Sequence, residues 1–472
     1  MSGAKELALT APVDEQGALA ACRDAVAAAL AAGAETADAF LMGRRGDWTR
    51  FADDRIPQPQ DIVEVTMMVR AVVRGRAARV ATDDLDALAE AAARAVEIAR
   101  SLADVAGSLP TSDPPPATDP GGGPDLLWHA SSAAWGPEAR SALARSTMAA
   151  AHAAGGVAHG VFGRAVNELA VVTSAGLERF ALATEALASM TITVGDGSSH
   201  WSDVDRDLAA LGVEQAVDAT IAEAVRAQNR IPLPDGVYDV VFGPLATGGF
   251  LDTMSSYGFT GSAVASGVGA VARRAGERIA PDIVDLADDP LEPRGLPFPF
   301  DIEGTSARAV PFVERGVIGS AVTDQASARA SGLSATGHAH IAREETAHEA
   351  SASIVMSPGA LSTAELIAGV ERGVYIQRVW YLRVVDPAAT TLTGGSRDAC
   401  FLIENGRLTT PVASARFTES VFGALSRVDA VGAEVRAQPL MNVWNGSVTA
   451  PAMRVRGFRF GTAATTGEGA EQ

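Results

Sequence analysis

The stretch GFLDTMSSYGF, residues 249–259, concentrates side chains that can donate, accept or move protons. It holds the carboxylate of Asp252, hydroxyl groups at Thr253 and at two serines, and the phenol of Tyr257, and it has no histidine or cysteine. A positioned carboxylate and a positioned phenol could act as general base and general acid. The stretch is therefore a first candidate for a catalytic site.

The residues before this stretch predict how it is positioned. A strand-like run, YDVVF at 238–242, is followed by the turn Gly243-Pro244. Proline is favoured at the first position of a helix, where its missing N–H costs nothing. The sequence therefore predicts a helix that starts at this turn and carries Asp252 and Tyr257 into the protein interior.

A second candidate is the histidine-rich stretch GHAHIAREETAHE, residues 337–349. It places His340, Glu344 and His348 at spacings of four residues, and on a continuous helix these side chains would line one face and could bind zinc. The stretch lies between a loop rich in Gly and Ser and a predicted strand, and it is charged and polar. We therefore favour a solvated connection over a metal site.

Other common site patterns are missing from the sequence. It contains neither the GxSxG turn of α/β-hydrolases nor a phosphate-binding GxxxxGK[ST] loop. The two cysteines, Cys22 and Cys400, are too far apart for a CxxC zinc pair and too few for a disulfide framework. Cys22 lies on the apolar stripe of a predicted helix, which indicates a small buried hydrophobic residue.

Composition narrows the possible partners. The 472 residues carry a net charge of −19, with 47% hydrophobic residues and no Lys/Arg run. Nucleic acids and anionic membranes attract basic surfaces, so neither is an expected partner. The N-terminal residues do not form a signal peptide, and no stretch is apolar for 18 residues, so we expect a cytoplasmic protein that does not span a membrane.

The pattern of elements predicts an α+β fold, with N-terminal α/β lobes followed by a β-rich C-terminal domain. We divide the chain into an N-terminal α+β domain at 1–125, whose Pro/Gly-rich linker covers 104–125, a middle region at 126–234, and a β-rich domain at 235–472. The predicted elements are a helix at 14–33, a hairpin at 62–69 and 72–80 that turns near Gly75, a helix after Thr82-Asp83-Asp84, a helix from Pro137 to Gly155-Gly156, a β-meander at 157–194, a helix at 213–228, and hairpins that turn at Arg315-Gly316 and Asn405-Gly406.

The C-terminal third resembles a known family. Residues 357–408 contain Pro358-Gly359, ERGVY at 371–375, Asp386-Pro387 and LIENG at 402–406, in an order that is similar to the TldD/TldE (PmbA) family of peptidase proteins. Arg50-Phe51-Ala52 in the N-terminal part agrees with this resemblance, which extends over nearly the whole chain.

The resemblance implies two kinds of subunit, of which one binds zinc and the other does not. In this family the TldD-type subunit looks like a zinc peptidase, with HExxxH on a helix that follows a strand and with a cysteine shortly before the LIENG turn. Two imidazoles and a thiolate can hold zinc and leave a position for water, whose pKa the metal lowers, and the glutamate takes the proton. The TldE-type subunit is similar in fold, lacks these ligands and pairs with the TldD-type subunit.

Aligned with that motif, this chain has substitutions at all four positions. Asp252 stands at the first histidine, Thr253 at the glutamate, Tyr257 at the second histidine and Arg397 at the cysteine, whereas Cys400 comes three residues later. The resemblance thus implies no metal and no cofactor in this chain, and it assigns no catalytic residue to it. The guanidinium of Arg397 is expected to pair with the carboxylate of Asp252.

The favoured function is therefore a TldE-like subunit of a heterodimeric TldD/TldE-type zinc metallopeptidase. The expected partners are a TldD-like subunit with HExxxH, in which the zinc would lie, and an unfolded or modified peptide. One alternative is a stand-alone hydrolase or peptide-processing enzyme that uses Asp252, Tyr257 and Arg397. Another is a non-catalytic binding or regulatory protein.

Overall fold

The computed structural model describes residues 15–104, 127–341, 347–439 and 446–461. It confirms the predicted α+β class, with helices packed on two large sheets and a β-rich C-terminal region. Among the helices of the described ranges, none is long and apolar enough to cross a membrane. The helices are α1 (Glu15–Ala31), α2 (Leu88–Ala103), α3 (Ala130–Ala133), α4 (Pro137–Ala153), α5 (Val213–Arg226), α6 (Pro244–Leu251), α7 (Gly261–Ala265), α8 (Gly269–Arg274), α9 (Gln325–Ser331), α10 (Thr363–Ala368) and α11 (Val421–Ser426).

The strands fall into two large sheets and one short hairpin. They are β1 (Thr36–Ala52), β2 (Arg55–Val73), β3 (Arg76–Thr82), β4 (Gly156–Thr173), β5 (Glu178–Val194), β6 (Gly197–Asp205), β7 (Gly236–Phe242), β8 (Leu286–Asp288), β9 (Val310–Glu314), β10 (Val317–Ile318), β11 (Ala339–Ile341), β12 (Ala347–Glu349), β13 (Ser353–Met356), β14 (Arg372–Asp386), β15 (Thr391–Glu404), β16 (Arg407–Pro411), β17 (Arg416–Ser420), β18 (Val428–Pro439) and β19 (Ser447–Phe460).

The N-terminal sheet has six antiparallel strands in the order β3-β2-β1-β4-β5-β6. The predicted hairpin turn at Gly75 is confirmed, since β2 and β3 meet there and Gly75 has a φ of 71°. The predicted helices that begin at residues 14 and 137 and the β-meander after Gly156 are also present. The long strand β1 was missing from the sequence prediction.

Side chains alternate between the two faces of this sheet, so each face has its own core. On one face, α1 and α2 cover one end around Ala39 and Leu41, and α4 and α5 cover the other end around Phe162. On the opposite face, Phe40 packs with Phe298 and other apolar residues of the segment that follows β8. The C-terminal part of the chain therefore contributes directly to the core of the N-terminal sheet.

The predicted domain boundaries are not tested by the fold and stay a prediction. Strands from the segment at 1–125 and from the segment at 126–234 share the six-stranded sheet. Apart from Asp104, the linker expected at 104–125 lies outside the described residues.

The C-terminal sheet has eleven strands, and β7 lies in its interior between β14, to which it is parallel, and β19, to which it is antiparallel. Helix α6 packs over β14 and β19. Its Phe250 joins a cluster of phenylalanines, with ring centroids 5.2 Å from Phe242 and 5.7 Å from Phe417. The two hairpin turns predicted in this part of the chain are confirmed. Arg315-Gly316 connects β9 and β10, and Asn405-Gly406 connects β15 and β16.

Candidate functional site

The stretch at 249–259 is divided between two short helical segments. Helix α6 begins at Pro244, as predicted, but it ends at Leu251, and a 3-10 turn follows at Met254–Tyr257. Gly258 then leaves the turn with a φ of 89°, and a Cβ there would come within 2.4 Å of the Cα of Gly269. The expectation of a single helix that carries both Asp252 and Tyr257 is therefore wrong.

Local chemistry explains why the helix stops. Two consecutive glycines, Gly248 and Gly249, weaken the last turn of α6, because glycine loses more backbone entropy in a helix than other residues. The hydroxyl of Thr253 then donates a hydrogen bond to the carbonyl oxygen of Phe250 at 2.7 Å, which competes with continued helix formation.

Asp252 lies at the C-terminal end of α6 and is exposed, contrary to the prediction that it is buried. Surrounding protein nevertheless displaces enough water to raise the pKa of its carboxyl group to about 6. Among the residues the structure describes, none forms a hydrogen bond or ion pair with this carboxylate. A carboxylate that titrates near neutral pH is suited to proton transfer, but here it has no partner to direct it.

Tyr257 is buried in the core, as the sequence predicts, with 1% of its surface exposed. Its ring meets that of Phe422 edge to face at 6.2 Å. Burial raises the pKa of its hydroxyl, and the nearby Thr253 hydroxyl offsets part of this increase. The Tyr257 oxygen has no hydrogen-bond partner at bonding distance within the described ranges. The side chain thus fills space in the core and lines a cavity of about 40 Å³.

Arg397 lies on β15 and is exposed. Its guanidinium carbon is 5.1 Å from the ring centroid of Trp380 on the neighbouring strand β14. The predicted ion pair with Asp252 is wrong, because no ion pair joins the two side chains, both of which the structure describes. A favourable contact with the negative face of an indole ring takes its place.

Both cysteines are buried in cores, which confirms their structural interpretation. The thiol of Cys400 donates to the carbonyl oxygen of Arg397 at 3.6 Å, and burial raises its pKa to about 12. Burial likewise raises the pKa of Cys22 to about 12. Neutral, enclosed thiols are poor metal ligands and poor nucleophiles.

The histidine-rich stretch forms a hairpin and not a helix. His340 on β11 and His348 on β12 are direct cross-strand partners, and Glu344 lies outside the described residues. Burial, together with repulsion from the neighbouring His338, lowers the pKa of His340 to about 3. In residues 15–104, 127–341, 347–439 and 446–461, no three His, Cys, Asp or Glu side chains are grouped so that they could hold a metal ion.

A buried pair in this region was missed by sequence analysis. The imidazole of His338 hydrogen-bonds Asp288 at 3.0 Å, and both groups are fully enclosed. The carboxylate of Asp288 also accepts the backbone N–H groups of Ala352 and Ser353. The pair therefore ties β8 to the segments on either side of the histidine hairpin. No sequence signal links positions 50 residues apart.

The side chains at the aligned ligand positions do not fit a zinc ion. A structural or catalytic zinc needs at least three N, O or S donors that converge on one point. Asp252 is a single carboxylate at a helix end, Tyr257 is enclosed by the core, and Arg397 is a cation. These residues instead have separate surroundings.

Together, the two sheets and the helices that pack on them define an α+β fold. Models of two domains match the chain, the PmbA/TldA metallopeptidase domain 1 at residues 37–99 and the PmbA/TldA metallopeptidase C-terminal domain at residues 235–462. The matched residues make up more than half of the chain, and the chain belongs to the PmbA/TldD family.

Curated relatives agree with this assignment. A metalloprotease of Methanothermobacter thermautotrophicus is 28% identical over 224 residues, which are 48% of this chain and 49% of that protein. A metalloprotease of Methanocaldococcus jannaschii is 23% identical over 228 residues, which are 47% of this chain and 50% of that protein. The match thus spans about half the length of these relatives.

The fold is similar to that of a solved structure over nearly its whole length. The crystal structure of TldE from Thermococcus kodakarensis superposes with a TM-score of 0.81 and covers 93% of this chain and 99% of the other, at 20% identity. At this level of identity the similarity establishes the fold alone.

Proposed function

We propose that this chain is a TldE-like subunit that binds no metal itself and completes a heterodimeric TldD/TldE-type zinc metallopeptidase. Its partner would be a TldD-like chain that carries HExxxH and the zinc. The observation that supports the proposal is the character of the aligned positions, which hold an isolated carboxylate at Asp252, an enclosed phenol at Tyr257 and a cation at Arg397.

The proposed substrate is an unfolded or modified peptide. Extended peptides can bind as an added strand at the edge of a sheet, where backbone N–H and C=O groups are unpaired. This chain offers such an edge at β3, the terminal strand of the N-terminal sheet. The residues of this chain would then bind and orient the peptide, and bond cleavage would take place in the partner.

The test is reconstitution with a TldD-like chain from the same source. We expect a stoichiometric complex, zinc in that complex but not in this chain alone, and peptidase activity only in the complex. The matched control is the same complex in which the glutamate of the partner's HExxxH is replaced by glutamine, which should assemble and stay inactive. Tight zinc binding by the isolated chain would contradict the proposal.

One observation favours a second candidate, a stand-alone hydrolase. The carboxyl group of Asp252 has a pKa of about 6 and no partner among the described residues, so it could accept a proton near neutral pH. This candidate predicts peptide turnover by the purified single chain that disappears in Asp252→Ala and persists in Asp54→Ala, a change in an exposed turn. A single chain without turnover excludes it. Complex formation without cleavage would instead indicate a binding or regulatory protein.

A further inference from the structure

A cleft of about 550 Å³ lies between the two large sheets. One wall is formed by hydroxyl-bearing residues of β5 and β6, including Thr193 and Ser198. The other wall is formed by the β14–β15 hairpin and by the start of β17. Ligand sites in proteins commonly have volumes of about 300–1,000 Å³ and are often found between packed units.

Three arginines line this cleft, Arg230, Arg397 and Arg416. In the described part of the chain, no carboxylate forms an ion pair with any of their guanidinium groups. The carboxylate of Asp398 also lines the cleft, but it is paired with the neighbouring Arg378 at 2.6 Å, and the carboxylate of Asp196 accepts the backbone N–H of Arg230. A chain with a net charge of −19 therefore presents a local excess of positive charge in this cleft.

The aromatic residues of the cleft are already in contact with cations. The ring of Trp380 has the guanidinium carbons of Arg378 and Arg397 at 4.9 and 5.1 Å from its centroid, and that of Tyr381 has Arg383 at 5.3 Å. These contacts restrain the arginine side chains and so lower the entropy lost when they bind a ligand. They also leave the Trp380 ring less able to stack on a nucleotide base.

An irregularity in β14 exposes both aromatic residues of the cleft. The pairing register of β14 with β15 shifts between Trp380 and Arg383, and Tyr381 has a φ of 58°. A bulge of this kind breaks the alternation of side chains between the two faces of a strand. Trp380 and Tyr381 are consequently both exposed, at 43% and 70%.

The pKa of a neighbouring histidine is affected by the positive charges of the cleft. His200 on β6 lies beside the cleft, and its Nδ1 is 2.8 Å from the hydroxyl of Thr191. Burial and, to a smaller extent, the charges of Arg378 and Arg397 lower the pKa of His200 to about 3. The positive potential that opposes protonation of His200 also attracts an anion.

We propose that this cleft binds the carboxylate groups of an acidic peptide. Guanidinium groups bind carboxylates through paired hydrogen bonds, and three of them distributed around about 550 Å³ suit several carboxylates along a chain better than one small anion. The carboxylates could belong to Asp or Glu side chains or to a peptide C-terminus. The proposal rests on the proposed function in one respect, since it names the class of peptide that the complex would receive.

The experiment measures peptide binding to this chain alone. The probe is a fluorescently labelled, glutamate-rich peptide with a free C-terminus, followed by anisotropy at low and at high salt. Two further peptides separate the sources of carboxylate, one with a C-terminal amide and one with glutamine in place of glutamate. We expect saturable binding that weakens with added salt, because screening shortens the reach of exposed charges.

Variants connect the binding to the cleft. Arg230→Gln combined with Arg416→Gln should raise the Kd at least tenfold, because each removes charge-assisted hydrogen bonds. Arg145→Glu, which changes the net charge by the same amount on the exposed face of α4, should leave the Kd unchanged. Circular dichroism would check that both variant proteins are folded.

Three results would overturn the proposal. They are equal binding of the original peptide and of a glutamine peptide that ends in an amide and so carries no carboxylate, equal displacement by inorganic phosphate and by the peptide at the same concentration, and equal effects of the cleft and α4 variants. Because the assay needs no partner subunit, its failure is distinguishable from a failure to form an active complex with a TldD-like chain.

Discussion

The guanidinium group of Arg397 lies against the ring of Trp380, with the guanidinium carbon 5.1 Å from the ring centroid. This contact places the positive charge on the side of β15 that faces the cleft between the sheets. Asp252, which stands at an aligned ligand position, is left without a charged partner among the described residues. The two aligned positions therefore have different surroundings, and we expect that each can be changed without affecting the other.

Asp252→Asn should stabilise the protein at pH 8, by at most about 1 kcal/mol. The folded state raises the pKa of this carboxyl group to about 6 from 3.8, so the folded state binds more protons than the unfolded state between these values, and stability falls as the pH rises through this window. The negative end of α6 adds to the cost of the charge, whereas exposure to solvent limits it. Urea unfolding at pH 8 and pH 4 measures the effect.

The stabilisation should shrink towards pH 4, where the carboxyl group of Asp252 is protonated in the folded state. Asp54→Asn, a change in an exposed turn, is the control and should show no such dependence on pH. A benefit of Asp252→Asn that is the same at both pH values would show that the ionised carboxylate is not its cause.

Tyr257→Phe should change the free energy of unfolding by less than about 0.5 kcal/mol or increase it, because the buried hydroxyl has no hydrogen-bond partner at bonding distance in the described ranges. Tyr257→Ala should cost about 3–5 kcal/mol through the cavity it leaves. Tyr238→Phe is a matched comparison, since its hydroxyl donates to the carbonyl oxygen of Pro234 at 2.9 Å, and it should cost about 0.5–1.5 kcal/mol. Chemical denaturation of the three variants measures their free energies of unfolding and so tests this order.

Asp288→Ala should be strongly destabilising, by about 3–5 kcal/mol, because it leaves His338 and two backbone N–H groups buried without their acceptor. Asp288→Asn keeps one acceptor oxygen and should cost less. Thermal unfolding of both variants measures the difference. If Asp288→Ala unfolded at the same temperature as the parent protein, the pair would have no structural role.

Neither cysteine should react with a thiol reagent in the folded protein at pH 8. Cys22 and Cys400 are buried, and burial raises the pKa of each thiol to about 12, so both the accessibility and the thiolate fraction are low. Labelling with a chromogenic disulfide reagent should find two reactive thiols only after a denaturant is added. Rapid labelling of the folded chain would show that one of these cores opens readily.

Sequence patterns predicted the elements whose signals are local. The hairpin turns at Gly75 and Asn405-Gly406 and the start of α4 at Pro137 rest on backbone preferences of glycine, asparagine and proline. The structure has them at the predicted positions. The family resemblance likewise rested on motifs that each lie within one element or turn.

The strand β1 shows why other elements could not be predicted. It contains Arg44, Arg45 and Asp47, which make the stretch look like a surface loop. In the structure Arg44 pairs with Glu185 at 2.9 Å, and Asp47 pairs with Arg164 at 2.7 Å. Charges whose partners lie more than 100 residues away along the chain give no local sign that the strand is buried.

The candidate site was only partly predictable for a similar reason. The alignment identified Asp252 and Arg397 as substituted positions, but their surroundings depend on where α6 ends and on the bulge in β14. The cleft arginines Arg230 and Arg416 come from separate loops and strands and form no motif. Only the folded arrangement of the two sheets brings them together.

The position of β7 in the C-terminal sheet has a consequence for synthesis on the ribosome. Its two neighbours, β14 (Arg372–Asp386) and β19 (Ser447–Phe460), are translated long after it, and β19 is the last of the strands that the structure describes. Until then β7 has an apolar face and an unpaired edge, which are typical features of aggregation-prone intermediates. The yield of soluble protein should therefore depend on whether a chaperone shields the nascent chain until residue 460 has emerged.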